Sequence, residues 1–165
     1  MVNQLKSKLE VLIEKIQVAS WQEKLQASDQ IVKDFGKHAT DSLTGLLHEK
    51  DASVRNAAAI TLREIGDNTA VKPLIEAIKA PANRDNRSTL VYALQTLDCK
   101  EHFLDIVELL LGNAEVRMSA MTIFVEQGFL ISDEDLKVAG HLVNSSDSDP
   151  ELVELIYERL SEFGS

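Results

Sequence analysis

The chain has 165 residues, 17 Lys+Arg against 27 Asp+Glu, a formal net charge of −10, and one cysteine. That length allows one domain or one short repeat array with a substantial core, and the acid excess opposes general binding to a phosphate backbone, which excludes nucleic acid as the expected partner. A lone Cys99 excludes an internal disulfide and fits a reducing compartment.

Aromatics are scarce at 5% while Ala and Leu dominate the apolar set, which suits closely packed helices rather than a β-sandwich. The stretch from Met1 to Lys15 has no apolar signal-peptide core, and no apolar run approaches the roughly 20 residues of a membrane span. The expected location is cytoplasmic, without membrane association.

In chain order, the apolar periodicity predicts five helix pairs in a single domain over 1–165. The first helix covers about Asn3 to Val18, with Leu5, Leu9, Leu12 and Ile16 as its stripe, and its partner runs from about Trp21 to Phe35, with Leu25, Ile31, Val32 and Phe35 inward. Trp21 is expected to pack under the first turn. The later pairs are about Asp41–Glu49 with Ser53–Ile65, Thr69–Lys79 with Asn86–Leu97, Glu101–Leu111 with Glu115–Glu126, and Asp133–Val143 with Pro150–Phe163. The pair boundaries are about 3–36, 40–66, 67–98, 101–128 and 132–164. Gly36, Gly66, Gly128 and Gly164 mark the ends of second helices, where a left-handed glycine closes a helix, and Asp98 takes that place in the third pair. Ser132 with Asp135, Asp149 before Pro150, Asn68 before Thr69, and Asp51 or Ser53 before Val54 are expected helix starts.

One phrase recurs within this pattern. Its clearest copy is Val54-Arg55-Asn56-Ala57-Ala58-Ala59-Ile60-Thr61-Leu62-Arg63-Glu64-Ile65-Gly66, with weaker copies beginning at Arg87 and Arg117. The steps are 87 − 55 = 32 and 117 − 87 = 30 residues. A fixed period of this size implies stacked repeats, each burying its apolar face against its neighbours.

The phrase V-R-x-A-A-A-x-x-L-x-x-I-G resembles the second helix of a HEAT repeat, closest to the short bacterial type of the phycobilisome lyases. The resemblance is strong over 40–66, fair over 67–128 and weak at both ends, where Leu25 and Val153 stand in the arginine position. It implies an all-α, right-handed solenoid of about five helix pairs with second helices on the concave face, and protein binding as the usual role. It also implies a structural ladder between repeats, here Asp51 with Arg55, Asn83 with Arg87 and Asn113 with Arg117, with the acid kept in the first pair of residues alone. Arginines recurring at one repeat position more often bond acids or carbonyls of the adjacent turn than phosphates.

Counting from the arginine position, +1, +5 and +8 share an outward stripe. In the middle repeats it holds Ile60, Arg63, Tyr92, Gln95, Met118, Thr122 and Val125, with Glu158 on the last helix. Apolar and aromatic residues on an outward stripe are the composition of an interface centre, so these eight residues are the expected partner site. The competing reading is a shift of register that makes core residues look exposed. In the last helix, Leu152, Leu155, Ile156, Leu160 and Phe163 are the expected core, whereas Val153 and Tyr157 face a next repeat that the sequence does not supply. They are a candidate homodimer patch, the alternative being ordinary isolated surface apolars.

Charge is unevenly placed. Residues 1–97 hold 13 Lys+Arg and 12 Asp+Glu, or +1, and residues 98–165 hold 4 and 15, or −11. The acidic third favours a basic partner through long-range steering, or simply aids solubility. His38, His48, His102 and His141 lack metal-ligand spacing, Asp147–Glu151 lacks the loop length and glycine of a calcium site, and Cys99 beside Lys100 lacks a paired histidine at recognisable spacing. No cofactor, metal or catalytic set is therefore expected. The expected function is a non-catalytic module binding another protein, with two alternatives: an inhibitor or immunity-type protein that blocks a basic partner, or a bilin lyase or chaperone-type enzyme, which the lyase resemblance suggests. A DNA glycosylase role would need a basic groove that the acidic third opposes.

Overall fold

The computed structural model describes the backbone of residues 2–163 and the side chains of residues 7–162. The expectations placed on Leu5, Phe163 and Gly164 lie outside the described side chains or residues. The chain divides into two compact units, 1–97 and 98–165. The described residues are helical, with no strand among them, and none of their helices is long and apolar enough to cross a membrane.

In the first unit, α1 (Val2–Val18) pairs with α2 (Trp21–Asp34), α3 (Thr40–Gly45) with α4 (Ala52–Ile65), and α5 (Val71–Lys79) with α6 (Ser88–Leu94). The second helices stack in sequence, α2 on α4 and α4 on α6. Ala57, Ala58, Thr61 and Leu62 are buried, as are Leu90, Ala93, Leu94 and Leu97, so the inward register of the phrase is the structural one. Small residues in this row let neighbouring helix backbones approach closely and pack at interior density.

The second unit holds α7 (Phe103–Leu110), α8 (Ala114–Glu126), α9 (Asp133–Asn144) and α10 (Pro150–Phe163). There α7 packs on α8 and on α9, and α9 on α10. Its centre is aromatic: Phe103 stacks on Phe124 at 6.4 Å and meets Phe129 edge-on at 5.7 Å between centroids.

Several local expectations are revised. The helix expected at Asp41–Glu49 is two short pieces, α3 and a 3₁₀ turn at Leu46–His48, preceded by another 3₁₀ turn at Gly36–Ala39. The helix expected at Asn86–Leu97 is regular over Ser88–Leu94 alone, because its end tightens into i+3 bonds from Gln95 N to Tyr92 O and from Leu97 N to Leu94 O. Asp67, not Asn68, starts the third pair by accepting from Thr69 N at 3.2 Å. Ser132 and Asp135 form the reciprocal cap, with Ser132 N to Asp135 Oδ2 at 2.8 Å and Asp135 N to Ser132 Oγ at 3.2 Å. A cap of the same kind at α2, where the Glu23 carboxylate accepts from Ser20 N at 3.0 Å, is readable in Ser20-x-x-Glu23. In α10 the buried line is Leu152, Ile156 and Leu160, and Leu155 is exposed rather than core. Trp21 is 41% exposed instead of covered.

Gly36 and Gly66 have φ of 50° and 68°, whereas Gly128 has no positive φ, since α8 ends on an extended Gln127 at φ −99°, ψ 148°. Gly66 has open space where a Cβ would sit, so the cost of Gly66→Ala is backbone strain alone, about 1–2 kcal/mol. Gly45 also has open space but ordinary right-handed geometry at φ −57°. Gly45→Ala is expected to stabilise by about 0.4–1 kcal/mol through the unfolded chain. Urea unfolding of the two variants should move in opposite directions. A shift of the same sign in both would contradict this account.

Candidate functional site

A cation recurs at one position of the second helices in both units. Arg55 is 4% exposed and its Nη1 donates to the carbonyls of Glu49 at 2.7 Å and Lys50 at 2.8 Å, the chain just before α4. Arg117 donates through Nε to Leu110 O and through Nη2 to Gly112 O, each at 3.0 Å, closing the end of α7. In the first pair the equivalent cation is Lys24. It is 3% exposed, and its Nζ donates to Ile16 O at 2.7 Å and Gln17 O at 3.3 Å at the end of α1. Lys24, not Leu25, therefore stands at the repeat position, a step of 55 − 24 = 31 residues. The common chemistry is satisfaction of carbonyls at a first-helix end that have no partner within their own helix.

The acid and amide members of the expected ladder have separate roles. Asp51 caps α4 through Ser53 N at 2.8 Å and lies 3.9 Å from Lys24 Nζ. The hydrogen bonds from Ser53, with the charges of Lys24 and Arg55 nearby, hold its carboxyl below the usual carboxylate range. Asn83 is buried and donates Nδ2 to Ala77 O at 2.7 Å, while Asn113 caps α8 by accepting from Val116 N at 3.1 Å. Arg87 is half-buried, and its Nε, like that of Arg55, is without a hydrogen-bond partner.

The outward stripe divides between the units. In the first unit α4 and α6 bring four of the expected residues onto adjoining positions. Tyr92 is 44% exposed, and the Arg63 guanidinium lies over its ring at 4.3 Å from the centroid. Ile60, Arg63 and Gln95 are half-buried. Thr96 Oγ1 donates to Arg63 O at 3.2 Å, tying the end of α6 to α4. In the second unit α8 exposes Met118 at 76% and Val125 at 50%, with Thr122 half-buried between them. Glu158 is exposed on α10, next to Arg159, whose Nη2 donates to Val125 O at 3.1 Å. Val153 is half-buried and Tyr157 is 38% exposed, with its hydroxyl 3.5 Å from Gly140 O.

Reactive chemistry is sparse among the described residues. Cys99 is fully buried, and burial first, then the nearby charges of Asp98 and Asp105, pushes its thiol up to about 12. The adjacent Lys100 pairs with Asp98 at 3.2 Å. No cluster of three metal-ligating side chains occurs among the described residues. His102 Nδ1 lies 3.0 Å from Asp105 Oδ2, on an open groove of about 380 Å³ that also holds Glu101, Glu108 and Leu130.

Paired helices, stacked second helices and a repeated cation that closes first-helix ends define an α-helical repeat protein. The family of HEAT repeats matches residues 9–95, and the chain belongs to it. The matched segment lies within the first unit, 1–97. Comparison with curated proteins gave no match. HEAT repeats generally mediate protein–protein interaction.

Proposed function

We propose that the protein is a non-catalytic module that binds another protein through the outward stripe of its second helices. Its contacts would be Ile60, Arg63, Tyr92 and Gln95 in the first unit, Met118, Thr122 and Val125 on α8, and Glu158 on α10. The observation that carries the reading is Tyr92, exposed yet held beneath Arg63 at 4.3 Å. A tyrosine already fixed by a cation–π contact loses little side-chain freedom when it docks, and Tyr and Arg are the residues that most often dominate interface energetics.

The experiment is affinity capture from a lysate of the native host, followed by purification of the retained protein and measurement of its Kd. Tyr92→Ser is expected to leave helicity unchanged, because the ring is at the surface, and to weaken the complex by about 2 kcal/mol, roughly thirty-fold. A partner held equally by the folded variant would remove the first-unit stripe from the reading.

The inhibitor-type reading, blocking a basic partner, draws support from the −11 of residues 98–165. Affinity that falls with added salt would favour it, and salt-insensitive binding would count against it. Self-association through Val153 and Tyr157 is the weaker reading. The exposed side of α10 carries Glu151, Glu154, Glu158 and Glu162, which a two-fold contact would bring toward their own copies.

A further inference from the structure

Helix α8 is apolar on two sides. Val116, Ala120, Ile123 and Phe124 face the core of the second unit. On the other side, Met118, Met121, Thr122 and Val125 follow the i, i+3, i+4, i+7 spacing of a single helix face, and the first and last are 76% and 50% exposed. Exposed Glu115 and Glu126 run along one edge of this stripe. An apolar stripe with flexible thioethers can mould itself to an apolar partner surface.

Charge selects the partner. The unit has 15 − 4 = 11 more acids than bases, and each of its four bases is already engaged. Lys100 meets Asp98 at 3.2 Å, Lys137 meets Glu134 at 3.5 Å, Arg159 meets Glu162 at 2.5 Å, and Arg117 is spent on two carbonyls. A second copy of the unit would bring the same acid excess against it, whereas a cationic segment is attracted over a Debye length and discriminated from acidic competitors at contact.

We infer that the outward face of α8 docks a basic amphipathic helix of a partner protein, its apolar side chains on Met118, Met121 and Val125 and its Lys or Arg side chains against Glu115 and Glu126. The inference rests on the stripe reading above but concerns its second-unit part, so Val11, 51% exposed in the first unit and outside the stripe, serves as its control.

The test uses the full chain and a synthetic helix-forming peptide of Leu and Lys, about 15 residues long, with one apolar face. Its comparators are a scrambled peptide of the same composition and an amphipathic peptide with Glu in place of Lys. Titration is expected to give the amphipathic Lys peptide at least a ~10-fold tighter Kd than either comparator. Met118→Ser/Val125→Ser, checked for unchanged helicity, should weaken it by about ten-fold. Glu126→Gln should weaken it a few-fold and flatten its salt dependence, while Val11→Ser should leave it unchanged. Equal binding of the scrambled peptide, preference for the Glu peptide, no binding, or no effect of the Met118 and Val125 substitutions would each overturn the inference. Loss of the captured partner on Tyr92→Ser, by contrast, tests the first-unit surface alone, so the two readings fail separately.

Discussion

Phe124→Ala is expected to destabilise the protein by about 3–5 kcal/mol, read by urea unfolding followed through helicity. The ring is fully buried and is shared by two neighbours, with centroids 6.4 Å from Phe103 and 6.3 Å from Phe129. Truncation removes its transfer free energy and leaves a cavity beneath two rings that are themselves held by α7 and the chain after α8. Relaxation into that space would require moving Phe103, 2% exposed, away from α7's own core contacts. Phe124→Leu keeps much of the volume and should recover more than half of the loss. A cost below about 1 kcal/mol for the alanine variant would show that the aromatic cluster does not hold this unit together.

The second large effect is expected at Arg55. Replacement by Met keeps the aliphatic stem and removes a buried cation that satisfies two carbonyls at 2.7 and 2.8 Å. Hydrogen bonds to a charged group contribute about 1.5–3 kcal/mol, and carbonyls left without a donor add their own cost, so about 3 kcal/mol of stability should be lost. Arg55→Lys should recover part of this, since Lys24 performs the equivalent task with a single ammonium group. Trp21, the sole tryptophan, lies in the first unit and reports the transition by fluorescence. A neutral Arg55→Met would mean that the repeated cation is a by-product of packing. Full rescue by Lys would mean that charge alone matters, not the planar fork of the guanidinium.

The second helices were legible because their apolar period runs over more than ten residues with a repeated landmark, enough to separate inward from outward positions. Thus Ala57, Ala58 and Leu62 are buried while Tyr92, Met118 and Val125 are exposed. The short helices were not legible. Gln95 and Leu97 tighten into i+3 bonds where Thr96 reaches the Arg63 carbonyl, a contact 33 residues away in sequence. Lys24 is not legible from a period carried by arginine, which falls one residue late, on Leu25. A lysine in a buried register one repeat before Arg55 was the available signal. Gly128 read as a left-handed cap on residue type alone, yet the chain leaves α8 extended, with Gln127 Oε1 accepting from Cys99 N at 2.9 Å. The change of charge at 97/98 was visible from composition and coincides with the division into two packed units. The Arg63–Tyr92 contact was not visible, since it depends on how α4 and α6 pair across the repeat.

The position of Cys99 has a consequence for how the molecule ages and how its motions can be timed. A hidden thiol with a pKa near 12 offers almost no thiolate at neutral pH, so oxidants and alkylating agents find nothing to attack while the fold is closed. Modification therefore proceeds through transient opening of the segment between α6 and α7, and its rate follows the population of that open state. The chain thus carries its own clock for local unfolding at the start of its acidic unit.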